Sequence, residues 1–284
     1  VPMSVLRTAI SLTGLYDRDA ENIEIEVVRL KALRVLVASV VFVAAYDRIR
    51  RGLSVIHPDP SLDLAANFLY MINGVKPSVV FARALDVYFI LLAEHGFNAS
   101  TFTARCVVST LSDIYSALTA AIGSLKGPLH GGANEAAMNL LVDVGSVENV
   151  EAYLNKMFAE KKKVMGFGHR VYKTEDPRAS HLREMARQMA IENPQMAKWF
   201  AMQTRMEAYV YAQKGLKCNV DFYSATVLTA LGINEDLFTP LFAIARITGW
   251  SAHIIEQLSD NRLIRPTCRY VGQKNLLVSK IQDR

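Results

Sequence analysis

Apolar residues recur at helical spacing along almost the whole of this chain, and that periodicity excludes most folds before any motif is considered. Residues 22–51, NIEIEVVRLKALRVLVASVVFVAAYDRIRR, open with acids and close with arginines, the order a helix dipole favours, although their β-branched residues leave a strand open. PSLDLAANFLYMING ends in Asn73 and Gly74, a helix-stop signal, and KPSVVFARALDVYFILLAEHG restarts behind Pro77 and stops at Gly96. VPMSVLRTAISLTGLY, at the start, is already in helical period. The segment 98–127 reads as one helix carrying Ala99, Ser109, Ser112, Ser116, Ala120 and Gly123, small residues that let another helix approach closely, in a dense centre or at a subunit interface. Further helices are predicted at about 134–143, 147–162, 179–192, 195–213, 221–231 and 236–257. With no strand alternation, internal repeat or low-complexity tract, the expected fold is all-α.

At 284 residues and 51% hydrophobic, the chain can bury the core of one large domain or of two unequal ones. The net charge of +5 is spread among acidic neighbours, which argues against a nucleic-acid partner and suits a polyanionic small ligand as well. The longest apolar run, residues 35–46, is bounded by Arg34 and Asp47 and falls well short of the roughly twenty residues a bilayer span needs, so no membrane role is expected. Cys106, Cys218 and Cys268 are odd in number and widely spaced, which points to a reducing compartment and structural thiols. With no secretory signal order at the start, the cytoplasm is the expected location.

Ionisable residues gather in loops punctuated by glycine and proline. In GPLHGGANE, His130 is followed by Gly131 and Gly132 and then by a helix start, whose N–H groups and positive dipole end would keep the ring neutral. Such a ring can steady an enolate or merely help cap the helix. In VMGFGHRVYKTEDPR, His169 follows two glycines and a lysine run, and Arg178 lies beyond a turn from which it can return to fork a carboxylate. Asp221, in NVDFYS, is an N-cap or, if its aromatic neighbours close over it, a general base. His95 ends a helix, where it complements the dipole. Arg246 lies within an apolar helix and needs an anionic partner, either a structural carboxylate or a substrate; Arg265 sits on an irregular tail. There is no His-Glu-x-x-His pattern, so no metal site is expected, and no Gly-x-Ser-x-Gly elbow, Walker loop or dinucleotide fingerprint.

Taken in order, EHGFNASTFTAR, LKGPLHGGANEAAM, VMGFGHRVYKTEDPRA, NVDFYSA, LFTPLFAIARITGWSAHIIEQ and DNRLIRP resemble the citrate synthase family, including its 2-methylcitrate synthase branch. The resemblance runs from Pro2 to about Gly272. It implies a helical homodimer, each subunit having a large domain (1–132 and 236–284) and a small mobile one (133–235). It implies condensation of acetyl-CoA with oxaloacetate followed by thioester hydrolysis, with the acyl-CoA as co-substrate and no permanently bound cofactor or metal. His130 matches the residue that stabilises the enol, Asp221 the base that removes the methyl proton, and His169 the residue that polarises and protonates the oxaloacetate carbonyl. His95, His169, Arg178 and Arg246 match the residues that hold the 2-oxo acid, with Arg265 reaching from the partner subunit. Lys163, Val164, Met165, Gly166 and Phe167 match the backbone cradle for CoA. Family members carry a segment before PMSVLRT, so the chain is expected to lack an N-terminal part. Propionyl-CoA as the acyl donor is the alternative within the family, and an inactive dimeric scaffold or CoA-binding protein is the alternative outside catalysis.

Overall fold

The computed structural model describes the chain except for Leu129, Gly132, residues 169–173 and Arg284, and except for the side chains of Ala133, Glu192 and Asp283. Among the described residues it is a helical protein whose only strand-like pairing is an isolated antiparallel bridge between Phe167 and Cys218. The helices are α1 (Pro2–Leu15), α2 (Ile25–Arg50), α3 (Leu64–Asn73), α4 (Val79–Leu92), α5 (Ala99–Val108), α6 (Ile114–Leu125), α7 (Ala133–Val144), α8 (Val150–Ala159), α9 (Pro177–Glu192), α10 (Pro194–Lys214), α11 (Val220–Ala230) and α12 (Phe238–Ser259). None is long and apolar enough to cross a membrane.

Local chemistry sets most of the boundaries. Asp63, Ser78, Asn98, Asp113, Asp176, Asn193 and Asn219 each accept a backbone N–H of the helix that follows them. Gly74 and Gly215 end α3 and α10 in the left-handed region, at φ of 81° and 64°. The apolar run at 35–46 is helical, with Val35, Val40 and Val43 buried. The single helix predicted over 98–127 is in fact two. Leu111 adopts φ of 67° and Asp113 caps the restart through Ser116 N at 2.9 Å, so a local hydrogen bond interrupts an otherwise helical stretch.

α7 to α11 pack mainly on one another, as do α1 to α6 with α12, while α4 and α12 touch both groups. α12 buries Trp250, Arg246 and Phe238 and meets α2, α4, α5 and α6, which makes it the axis of the core. On α6, Ala117, Leu118, Ala121, Ile122 and Leu125 face inward. Ser116, Ala120 and Gly123 lie on its less buried side, so the part of the small-residue stripe on α6 does not face the dense centre of the chain, while Ser109, at the end of α5, is buried.

Candidate active site

The loop before α11 orients the carboxylate of Asp221. Asn219, not Asp221, is the N-cap: its side chain accepts the Asp221 N–H at 3.1 Å and donates to Gly168 O at 2.9 Å. Freed from capping, the Asp221 carboxylate makes no hydrogen bond to any described residue. Burial pushes its pKa up to about 6; Arg178 and Arg246 pull it down, and the negative charge of Asp176 adds to the rise. A carboxylate in that state holds a proton strongly enough to act as a base near neutrality.

Asp176 couples this loop to Arg178. It caps α9, accepts Nε and Nη2 of Arg178 at 3.0 and 2.9 Å, and also accepts Val220 N at 3.1 Å. Although burial works against it, the Arg178 guanidinium and two backbone N–H groups hold the Asp176 carboxyl below the usual carboxylate range. Part of the Arg178 fork is therefore spent on Asp176, which locks the guanidinium beside Asp221. The DPR sequence carries the signal for this, an aspartate directly before a proline at a helix start.

Arg246 is 1% exposed on α12. Its Nε donates to Leu92 O at 2.7 Å, its guanidinium lies 4.7 Å from the Phe242 ring centroid, and its Nη2 has no partner among the described residues. Burial lowers its pKa to about 10. Of the two partners the sequence left open, no structural carboxylate is hydrogen-bonded to it. α12 seats the segment ending in His95 through Arg246 and Gly249. A side chain at Gly249 would run into the Ala93 carbonyl and Glu94, so glycine alone permits the approach. His95 is half-buried at the end of that segment, its carbonyl 3.5 Å from Asn98 Nδ2.

His130 meets the start of α5. Its Nε2 accepts Ser100 N at 3.3 Å and lies 2.8 Å from Ser100 Oγ. A backbone N–H can only donate, so Nε2 carries the lone pair and Nδ1 the proton. Ser100 is itself held by Trp250 Nε1 at 3.0 Å and Asn98 Oδ1 at 2.7 Å. Burial, and then the charge of Arg246, lower the proton affinity of His130. A Cβ on Gly131 would collide with Leu125 O and come within 3.0 Å of Thr239 Cγ2, so the missing side chain makes room for the protein's own packing.

The stretch 163–167 lines a cleft of about 420 Å³ together with Phe158, Lys162, Lys214 and Asn219. Gly166, at φ of 83°, lies so close to Phe222 that a Cβ there would sit 2.8 Å from Phe222 Cβ. Gly168 N donates to Lys217 O and Asn219 N to Gly166 O, at 2.8 and 2.9 Å, so this cleft and the Asp221 loop form one backbone unit. His169 lies outside the described residues. Arg265 is exposed on the segment after α12 and makes no hydrogen bond or ion pair with another described site residue.

The charge of Arg246 reaches both His130 and Asp221, and Arg178, from α9, acts on Asp221 more strongly. Sequence reasoning did not single out Asp176, Ser100 or Trp250. In a second charged cluster Arg183 donates to Glu175 and Glu207, and Tyr223 donates to Glu207 at 2.5 Å. Glu175, Glu207 and Cys218 are metal-type ligands, but the guanidinium sits between the two carboxylates.

The family profile described as "Citrate synthase, C-terminal domain" matches residues 1–267. The chain belongs to the citrate synthase family. It is 50% identical over 283 residues to citrate synthase 2 of Bacillus subtilis, covering 100% of this chain and 76% of that protein. It is 44% identical over 289 residues to 2-methylcitrate synthase 2 of Corynebacterium glutamicum, covering 100% and 75%. Among solved structures, a citrate synthase from Thermoplasma acidophilum in ternary complex with carboxymethyl coenzyme A and oxaloacetate superposes with a TM-score of 0.90 at 33% identity, covering 100% of this chain and 76% of that one. The family is one of acyltransferases, and the all-α fold of this citrate synthase relative is the one the helical periodicity predicts.

Proposed function

We propose that this chain condenses acetyl-CoA with oxaloacetate and hydrolyses the resulting thioester, giving citrate and CoA. The observation that carries this reading is the convergence on Arg246 of a raised carboxylate, Asp221, and a neutral imidazole, His130, which lie far apart in the chain. Asp221 takes a proton from the thioester methyl group. The Nδ1–H of His130, directed by the acceptor role of Nε2, donates to the developing enolate oxygen. The enol carbon attacks the oxaloacetate carbonyl, and His169 gives a proton to the new alkoxide. Water then cleaves the thioester and releases the CoA thiol.

His95, His169, Arg178 and Arg246 hold the 2-oxo acid, with Arg265 supplied by a second copy of the chain in a homodimer. The cleft at Lys163–Phe167 takes CoA. Residues 133–235 form a small domain that closes over the substrates, excluding water and strengthening the charged contacts. The near-equal likeness to 2-methylcitrate synthases supports a second reading with propionyl-CoA, because a single methyl is worth only about 1–3 kcal/mol in an apolar pocket. Thiol release with oxaloacetate, measured with each acyl-CoA in turn, tests both. Faster release with acetyl-CoA is expected; faster release with propionyl-CoA selects the second reading, and none with either removes both.

A further inference from the structure

The candidate site holds more hydrogen-bond donors than the protein's own acceptors use. Besides Nη2 of Arg246, the fully buried side chains of Tyr88 and Asn134 share that condition here, as Thr101 Oγ1, Thr119 Oγ1, Arg183 Nε and Ser251 Oγ do at other places in the chain. Tyr88 projects from α4, and its hydroxyl bonds to no described residue. Asn134 stands in the first turn of α7. Its Oδ1 accepts Glu135 N at 2.9 Å, which fixes the amide so that Nδ2 is the atom left over, and Nδ2 has no acceptor. The two side chains lie beside each other without completing a hydrogen bond of good geometry, and Tyr88 feels the charges of Asp221, Arg246 and Arg178. All three unmet groups thus occupy the place where the candidate base and both guanidinium groups converge.

Their chemistry points one way. An amide N–H and a guanidinium N–H can only donate, and burial together with Asp221 pushes the Tyr88 phenol far above its ordinary range, so it keeps its proton. Folded proteins pair almost all buried polar groups, and here three neighbours go without. The guest that would satisfy them is rich in acceptors and negatively charged. A carboxylate offers about four lone-pair sites and accepts from several donors at once.

We propose that Tyr88 and Asn134 are two further substrate-holding residues, donating hydrogen bonds to the oxygens of the 2-oxo dicarboxylate that Arg178 and Arg246 bind. This deepens the reading given under Proposed function and rests on it. Tyr88 belongs to the helices that pack with α12, and Asn134 to those that pack with α11. An acid gripped by both spans the two groups, so its binding would pull α7 toward α4.

The test is Tyr88→Phe, which keeps the ring and deletes only the hydroxyl. Because that hydroxyl completes no well-formed hydrogen bond with a described residue, the melting temperature of the variant should hold or rise. Affinity for oxaloacetate, measured by calorimetry, should fall about tenfold. Asn134→Asp keeps the Oδ1 contact to Glu135 N but turns a donor toward the guest into an acceptor, and should weaken oxaloacetate about a hundredfold. Unchanged affinity in Tyr88→Phe, above all with a lowered melting temperature, overturns the proposal, since it marks the hydroxyl as structural. If the unsubstituted chain binds no oxaloacetate, the proposed function falls and takes this inference with it. That outcome is read from the parent protein alone, so it is distinct from a failure confined to the variants.

Discussion

Lys31 and Arg246 are both buried cations, each 1% exposed, and they are treated in opposite ways. Lys31 donates its ammonium protons to the carbonyls of Asp19, Ala20 and Asn22, which use all three of its donors and tie the 19–22 turn to α2. Arg246 has five donors, of which the one on Nε meets Leu92 O and the two on Nη2 meet no described acceptor. A saturated buried charge is part of the scaffold. An unsaturated one, even with the charge of Glu94 and the Phe242 ring nearby, keeps part of its desolvation cost, which an anionic guest would offset. Burial alone therefore does not separate structural from functional cations; the account of partners does.

The largest expected effect sits beside the unsaturated cation. Asp221→Ala should lower turnover by about a thousandfold or more in a thiol-release assay while oxaloacetate still binds. Turnover equal to that of the parent rejects Asp221 as the base. Next comes a matched pair. Arg246→Leu should weaken oxaloacetate about a hundredfold by calorimetry with little loss in urea stability. Lys31→Met should cost about 2–4 kcal/mol in urea and leave oxaloacetate affinity alone, because three carbonyls lose their donor. If both variants lose stability alike and neither changes affinity, the contrast between the two cations is broken.

Titration sharpens the same comparison. In the folded protein Asp221 titrates near 6, above its ordinary 3.8, so the folded state binds that proton more tightly than the unfolded chain does. Its favourable contribution is fully present below about 4 and is lost as the pH rises through about 6. Asp221→Asn should therefore gain stability over the parent above pH 6, by something on the order of 2 kcal/mol in urea titrations. In the parent, kcat/KM should climb through about pH 6 as the carboxylate ionises. A climb centred near 4 would place Asp221 among ordinary exposed carboxylates. The smallest effect belongs to Trp250→Phe, which removes the donor to Ser100 Oγ and should lower turnover a few-fold while costing about 1 kcal/mol. No change in turnover would show that Ser100 positions His130 without help.

The helices were legible because their signals are local. Asp63, Ser78, Asn98 and Asp176 cap helices within three residues of where they stand, and Gly74 stops one by its own φ. The break at Leu111 was not legible, because Asp113 reads equally well as a helix-surface residue until its carboxylate is seen to accept Ser116 N. At the candidate site, the loops that carry or adjoin His95, His130, Arg178 and Asp221 stood out through their glycines and charges, and Arg246 through its place in an apolar helix. Tyr88 and Asn134 did not, since a tyrosine and an asparagine in helical segments look like ordinary core and cap residues.

By itself, then, the sequence determined the all-α class, the positions of the capped helices, the family, and which ionisable residues sit in punctuated loops. All of these depend on interactions within a few residues or on a pattern read along the chain. Only the tertiary structure decided that Asn219 caps α11 and releases Asp221, that Asp176 spends part of the Arg178 fork, that Gly131 makes room for Leu125 O, and which buried donors go without an acceptor. Hydrogen-bond satisfaction and desolvation depend on which distant atoms share a few ångströms, and no spacing along the chain encodes that.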